Sequence, residues 1–147
     1  MASIKTISDA IIARLVDQVA DLDADKVKTF DGSARDLLDA IKTAPFVGVA
    51  LTNVEQEQPV STGKVAMESL TFNLLLVAED FSGIGYSIED SYGLIDSVRN
   101  ALMGQTLNIS GLDPIEVASV EKNTSMESEK ITAYDFKIKT GQVVQQV

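Results

Sequence analysis

The sequence predicts an α+β fold: a single domain over residues 1–147, with helices packed on a largely antiparallel or mixed sheet of about four or five strands. Three observations support this prediction. An apolar segment with strand-like alternation begins at Leu70, an amphipathic helical pattern follows it, and a second alternating segment lies near the end of the sequence. The expected order of elements is α-β-(α)-β-β-α-β-β.

The central unit runs from Leu70 to Gly104. In its strand, four large apolar residues lie two apart and therefore share one face: Leu70, Phe72, Leu74 and Leu76. The segment 81–86 contains glycine and is expected to turn the chain. A capping-box-like stretch from Ser87 to Asp90 then starts a helix, whose apolar residues recur at helical spacing from Ile88 to Met103. Gly104 fits the position just after the helix.

The first helix is expected to begin after Ser3, whose hydroxyl can cap it, and to end near Ala20. Spacings of three and four give it one apolar stripe, formed by Ile4, Ile7, Ile11, Leu15 and Val19. The alternating aspartates of Asp21–Asp25 raise the possibility of a calcium loop. Such a loop needs Gly and Glu where this sequence has Lys26 and Gly32, so we interpret the segment as a solvated loop, with another cation site as the alternative.

Two short elements are expected between this loop and the second core strand. Residues 26–30 form a short strand, interpreted as an edge strand protected by its lysines, and residues 33–41 form a small helix. Pro45 prevents that helix from continuing. Residues 46–54 then form a core strand, in which Gly48 is unusual and is expected to allow a neighbouring backbone or helix to approach closely.

Two segments are expected to lack regular structure. Residues 55–66 show no sustained apolar period and are interpreted as a flexible loop between two strands that pair with each other. This loop is either a simple hairpin tip or an arm that becomes ordered on a partner. Residues 141–147 are interpreted as a C-terminal tail that exposes its valines unless it docks on something.

The remaining two strands are expected to form the second hairpin. Residues 114–121 alternate imperfectly, whereas Thr132 to Ile138 show the cleanest apolar–polar alternation in the sequence. The polar segment 122–129 between them is expected to be the tip of the hairpin.

Composition excludes several classes of function. The sequence has no cysteine and no histidine, which excludes disulfides, thiolate metal sites and histidine-based triads. Its formal net charge of −10 disfavours stable binding to a phosphate backbone. The N-terminus lacks the features of a signal peptide, and no apolar run reaches the length of a membrane span, so we expect a protein that is cytoplasmic when made.

No motif indicates catalysis. The segment Gly83–Gly85 lacks the third glycine of a dinucleotide fingerprint, and the pair Glu79 and Asp80 has no identifiable catalytic partner. We therefore assign no catalytic, cofactor-binding or metal-binding residues and expect that the protein is not an enzyme. The tyrosines are interpreted as core or interface residues: Tyr86, Tyr92 and Tyr134.

Several segments carry a resemblance to a known family. They are Leu70–Ala78 and Tyr92–Leu102 in the central unit, the first helix from Ile4, the short segment 26–30, and Ala133–Thr140. On these segments the chain resembles the Mu-like prophage tail protein family, a family of minor tail proteins regarded as tail terminators of contractile-tailed phages. The order of its elements is also similar to that of the lambda-type tail terminator fold.

The resemblance implies a virion structural protein without catalytic residues or cofactors. It implies a ring, a hexamer, that caps the head-proximal end of the tail tube, ends tube polymerisation and joins the tail to the head or neck. Its implied partners are further copies of itself, the tail tube protein, and sheath, neck or head-completion proteins. DNA would pass through the acidic lumen without specific binding, and the protein would be assembled in the host cytoplasm and end in the virion tail.

The candidates for the subunit or tube interface come from the predicted loop and tail: Glu55, Glu57, Pro59, Lys64, Val143 and Val144. Two alternatives to a tail terminator remain open. The first is a head–tail connector or neck protein on a similar scaffold. The second is a small ligand-binding domain, which would require a pocket with convergent polar groups.

Overall fold

The computed structural model describes residues 2–30, 45–57, 65–78, 84–123 and 132–145. Within these ranges the chain forms α1 (Ile4–Gln18), β1 (Val27–Thr29), β2 (Phe46–Glu57), β3 (Val65–Val77), α2 (Ile84–Leu102), β4 (Glu116–Lys122) and β5 (Ala133–Gln145). The small helix predicted over 33–41 and the carboxylate pair Glu79 and Asp80 lie outside the described residues.

The five strands form one mixed sheet in the order β1-β2-β3-β5-β4. The pair β1–β2 is parallel, while β2–β3, β3–β5 and β4–β5 are antiparallel. This confirms the predicted α+β class, the single domain and the largely antiparallel sheet. It also confirms that β1 is an edge strand and that the strands on either side of the segment after Glu57 pair with each other.

The first helix begins where the sequence predicts and ends slightly earlier. The Ser3 hydroxyl accepts a hydrogen bond from the Thr6 backbone N–H at 3.1 Å, which caps the helix. Ile7, Ile11 and Leu15 are buried. The helix ends at Gln18 rather than Ala20, because Val19 adopts an extended conformation.

The second helix begins earlier than predicted. It starts at Ile84, so residues 84–86 belong to the helix and not to the expected turn, and Ser87 does not start it. The capping pattern is a local signal, and a helix can begin before it because a glycine such as Gly85 costs only about 1 kcal/mol in a helix. The predicted C-terminal glycine is confirmed: Gly104 has a φ of +76°.

The predicted loop over 55–66 is wrong at both of its ends. The predicted tail over 141–147 is wrong for residues 141–145. Residues 55–57 belong to β2, residues 65–66 to β3, and residues 141–145 to β5. Polar residues such as Gln56 and Gln142 can join the strands because a ladder is held by backbone hydrogen bonds, which do not require apolar side chains. Residues 58–64, 146 and 147 lie outside the described part of the chain.

The main core lies on the side of the sheet that faces the helices. Its buried cluster combines the apolar stripes of α1 and α2 with alternate residues of the inner strands, among them Val47, Leu74 and Phe136. We call this side of the sheet the helix side and the opposite side the open side. On β3, even-numbered residues from Ala66 to Leu76 lie on the helix side, and odd-numbered residues lie on the open side.

The sheet extends beyond the part that is fully covered. β1 pairs only with Val47–Val49, so β2 has no described neighbour on that side from Ala50 onward. Leu51 and Val54, which pair with core residues of β3, are 36% and 38% exposed. We call the part of the sheet formed by residues 51–57, 65–71 and 139–145 the distal end.

Gly48 makes room for an aromatic side chain, as its position in the strand suggested. A Cβ atom added at Gly48 would lie 2.4 Å from the Cβ of Phe30. The group that approaches is thus a side chain, where the sequence suggested a backbone or helix. Phe30 also donates its backbone N–H to the Val49 carbonyl at 3.0 Å and packs edge-on against Phe46.

Replacing this glycine tests the packing. We expect Gly48→Ala to lower the free energy of unfolding by about 1–3 kcal/mol, because Phe30 must move. Gly93→Ala is the matched control: nothing lies within 4 Å of its added Cβ, so it should be neutral or stabilising by up to about 1 kcal/mol. Urea unfolding followed by circular dichroism measures both. Equal stability of Gly48→Ala and the parent protein would contradict the packing described here.

Candidate assembly surface

The distal end brings residues from three strands into transverse rows. One row on the open side contains Glu55, Ser69 and Gly141, and the next contains Glu57, Met67 and Val143. The rows form because β3 pairs with β5 on one side and with residues 53–57 of β2 on the other, in both cases without a break in the register. Residues that are far apart in the sequence therefore share a small surface.

The predicted interface candidates divide into three groups. Glu55, Glu57 and Val143 lie in the two rows just described. Val144 occupies the register position opposite Ala66, which belongs to the helix side. Pro59 and Lys64 lie outside the described residues. The structure thus brings together three residues that the sequence analysis took from two separate segments, and their role in an interface stays a prediction.

Two large apolar side chains are exposed together at the distal end. Met67 and Val143 are direct partners across β3 and β5, and they are 45% and 49% exposed. Scattered exposed apolar residues are ordinary, whereas adjacent ones on a sheet surface form a patch that a protein partner can cover. Val143 was predicted from the sequence as an interface residue, whereas Met67 was not, although Met67 is an apolar residue at an open-side position of a strand.

The loop before β4 closes on the distal end from the side of β5. The Thr140 hydroxyl donates to the Asp113 carbonyl at 2.7 Å, and Asp113 donates its backbone N–H to the Gly141 carbonyl, also at 2.7 Å. The Asp113 carboxylate lies over Gly141, where an added Cβ would be 2.8 Å from its Oδ2 atom. An acidic side chain is thereby fixed beside the row of Glu55 and Ser69.

A polar network holds the helix side of the distal end. The carboxylate of Glu68, which is 9% exposed, accepts hydrogen bonds from Gln56 Nε2 at 3.0 Å and Gln142 Nε2 at 3.1 Å. Gln142 also accepts from the Ala2 backbone N–H at 3.1 Å and donates to the Ala2 carbonyl at 2.9 Å. A buried carboxylate is stabilised by such amide donors, and here they also attach the start of α1 to the sheet.

No role for Glu68 or Gln142 was predicted from the sequence. The available signal was the alternation of β3: Glu68 stands at a helix-side position in a series that otherwise contains Ala66, Leu70 and Phe72. A charged residue at such a position needs a partner. The partner could not be named from the sequence, since Gln142 is 74 residues away and belongs to the segment interpreted as a tail.

The distal end forms a wide groove with mixed charge. Its volume is about 550 Å³, and its lining includes Glu55, Asp113, Glu116 and Lys139. Within the described residues, no group of three or more acidic side chains is arranged to hold a metal ion, and this includes the predicted loop Asp21–Asp25. Such an open and polar groove suits contact with a protein surface.

The described tyrosines occupy different environments. Tyr134 is partly buried and packs against the core, whereas Tyr92 on α2 is 55% exposed. The side chain of Tyr86 is not among those that the structure describes. No described helix combines the length and the apolarity needed to cross a membrane.

No protein-family model matches the sequence. A search of curated proteins likewise found no significant match.

Replacing Gln142 tests whether the buried network stabilises the distal end. We expect Gln142→Ala to lower the free energy of unfolding by about 1–3 kcal/mol, because it leaves the buried Glu68 carboxylate with one amide donor fewer and releases Ala2. Gln56→Ala is the control: Gln56 is exposed and makes one of these bonds, so its loss should cost under about 1 kcal/mol. Thermal and urea unfolding measure both variants, and an equal effect of the two would contradict the network.

Proposed function

We propose that this protein is a structural tail protein: a tail terminator that forms a ring, a hexamer, on the head-proximal end of a phage-type tail tube. It ends polymerisation of the tube and provides the surface on which the head or neck is joined. Its partners are further copies of itself, the tube protein, and sheath, neck or head-completion proteins. It acts in the virion tail after assembly in the host cytoplasm.

Two lines of reasoning support the proposal. The first is the resemblance of the segments in the central unit, the first helix and the last strand to the Mu-like prophage tail protein family. The second is the observation that carries most weight in the structure: the sheet continues into a distal end, where Met67 and Val143 are exposed beside acidic residues. A surface of this kind suits assembly, since neighbouring chains can cover its apolar centre.

Ring formation accounts physically for termination. A ring of identical head-to-tail contacts closes on itself, so it offers no free contact of the same kind to a further subunit. Six copies with a net charge of −10 each carry a formal charge of about −60 before ions bind. An acidic lumen repels the phosphate backbone, so DNA can pass through it without adhering.

The proposal is tested by adding the purified protein to tail tubes that polymerise in its absence. We expect rings at one end of each tube in electron micrographs and a narrow distribution of tube lengths. The variant Met67→Asp/Val143→Asp should lose most of this end binding, since it places charge in the apolar patch. Met103→Asp is the matched control, because Met103 is 51% exposed but lies after α2.

Two results would contradict the proposal. One is a protein that stays monomeric with tubes and leaves their length distribution unchanged. The other is labelled protein found on the portal side of complete particles, which would assign it to the neck instead. A monomer in the absence of tubes agrees with the proposal, because a ring can form on the tube end.

A further inference from the structure

A small recess on the open side carries two lysines that form no ion pair with any carboxylate among the described residues. It has a volume of about 240 Å³ and lies beside the distal groove. Its lining consists of Thr52, Asn53, Glu55, Ser69, Thr71, Lys137 and Lys139. Lys137 and Lys139 are exposed and alternate on β5, so their Cα atoms are about 7 Å apart on the same side of the sheet. We call this the lysine recess.

Two other described basic residues form ion pairs, whereas the two lysines of the recess do not. Lys5 is paired with Asp9 at 2.7 Å, which raises the pKa of Lys5, and Arg99 is paired with Asp96. Among the residues that the structure describes, no carboxylate oxygen lies within 4 Å of the ammonium groups of Lys137 and Lys139.

Amide side chains hold two of the carboxylates next to the recess. Glu55 accepts a hydrogen bond from Asn53 Nδ2 at 3.1 Å, and Asp135 accepts one from Asn73 Nδ2 at 3.3 Å. Glu116 on β4 is the register partner of Lys139, but it is exposed and forms no ion pair with it. The two ammonium groups thus remain available to an external anionic group.

We propose that the lysine recess binds the acidic turn Asp21–Asp25 of a neighbouring copy of this chain. This inference rests on the ring assembly in the proposed function and names the contact between its subunits. The turn of a second copy offers three exposed carboxylates, those of Asp21, Asp23 and Asp25, to the two lysines. Each chain has a net charge of −10, so two copies repel each other as a whole, and the local opposite charges determine which surfaces meet.

The turn is displayed in a defined conformation. Asp21, Asp23 and Asp25 are exposed, while Leu22 between them is 2% exposed and anchors the turn in the core. Asp23 Oδ1 accepts a hydrogen bond from the Asp25 backbone N–H at 2.9 Å. The carboxylates of Asp21 and Asp25 therefore stand on a segment that is already ordered, which reduces the entropic cost of binding.

The positions of the two surfaces give the contact a direction. The acidic turn directly precedes β1, which is one edge of the sheet, whereas the lysine recess lies on β5, one strand away from the other edge. A contact between such different surfaces is head-to-tail. Two chains joined in this way still have one unoccupied recess and one unoccupied turn. Repetition of this contact closes a ring if the rotation between neighbours permits.

A charge exchange tests the contact. The recess variant is Lys137→Glu/Lys139→Glu, the turn variant is Asp21→Lys/Asp25→Lys, and the combined variant carries all four changes. The control is Lys5→Glu/Lys122→Glu, which changes the net charge as the recess variant does, at two other exposed lysines. Sedimentation velocity measures self-association, electron microscopy measures occupancy of tube ends, and thermal melting verifies that each variant is folded.

We expect the recess and turn variants each to weaken self-association, on or off the tube, about tenfold or more, because like charges then face each other. The combined variant should recover assembly, and the control should assemble as the parent protein does. The contact is wrong if the recess variant assembles normally. It is also wrong if the turn variant assembles normally while the recess variant does not, or if the combined variant fails to recover.

These outcomes separate the contact from the proposed function. Parent rings that form but ignore tube ends would refute tail termination and leave the contact supported if the charge exchange behaves as expected. Capped tubes with the recess variant as well as with the parent would refute the contact and leave tail termination supported. A parent protein that is monomeric under all conditions, with and without tubes, would refute both.

Discussion

The pairing of β3 with strands on both of its sides determines where the rest of the described structure lies. β3 pairs with β5 at every position from Val65 to Val77, and it pairs with β2 from Met67 to Val77 around one irregularity after Leu51. Because side chains alternate along a strand, this register places Phe72, Leu74 and Leu76 under the helices. A shift by one residue would exchange the side chains of the helix side with those of the open side.

The same register assembles the candidate surface. It places Met67 next to Val143 and Ser69 between Glu55 and Gly141 on the open side. On the helix side it places Glu68 beside Gln56 and Gln142, which in turn hold Ala2. The core and the distal end are therefore products of one set of backbone pairings, and a surface held so firmly can bind a partner without first paying for its own ordering.

The parts of the fold that were predicted from the sequence are those with strong local patterns. Alternation from Leu70 to Leu76, helical spacing after Ser3 and a glycine at position 104 each depend on neighbouring residues alone. The lengths of the strands were underestimated at 55–57 and 141–145, where polar residues such as Gln56 and Gln142 pair through their backbones with β3. The same limit applies to the candidate surface: Glu55, Glu57 and Val143 were predicted from the sequence, whereas the importance of Met67, Glu68 and the two recess lysines becomes visible only once the register is known. The roles of Pro59 and Lys64 stay predictions.

The central claim is that this chain works as a subunit of a closed ring on a tail tube and uses the distal end for assembly. An electron cryomicroscopy reconstruction of the head-proximal end of tails assembled with the protein tests it most directly. The account predicts a closed ring of identical copies in which Met67 and Val143 are buried against a neighbouring subunit or the tube. Tail ends without the protein, or a ring in which the distal end faces solvent on every copy, would contradict it.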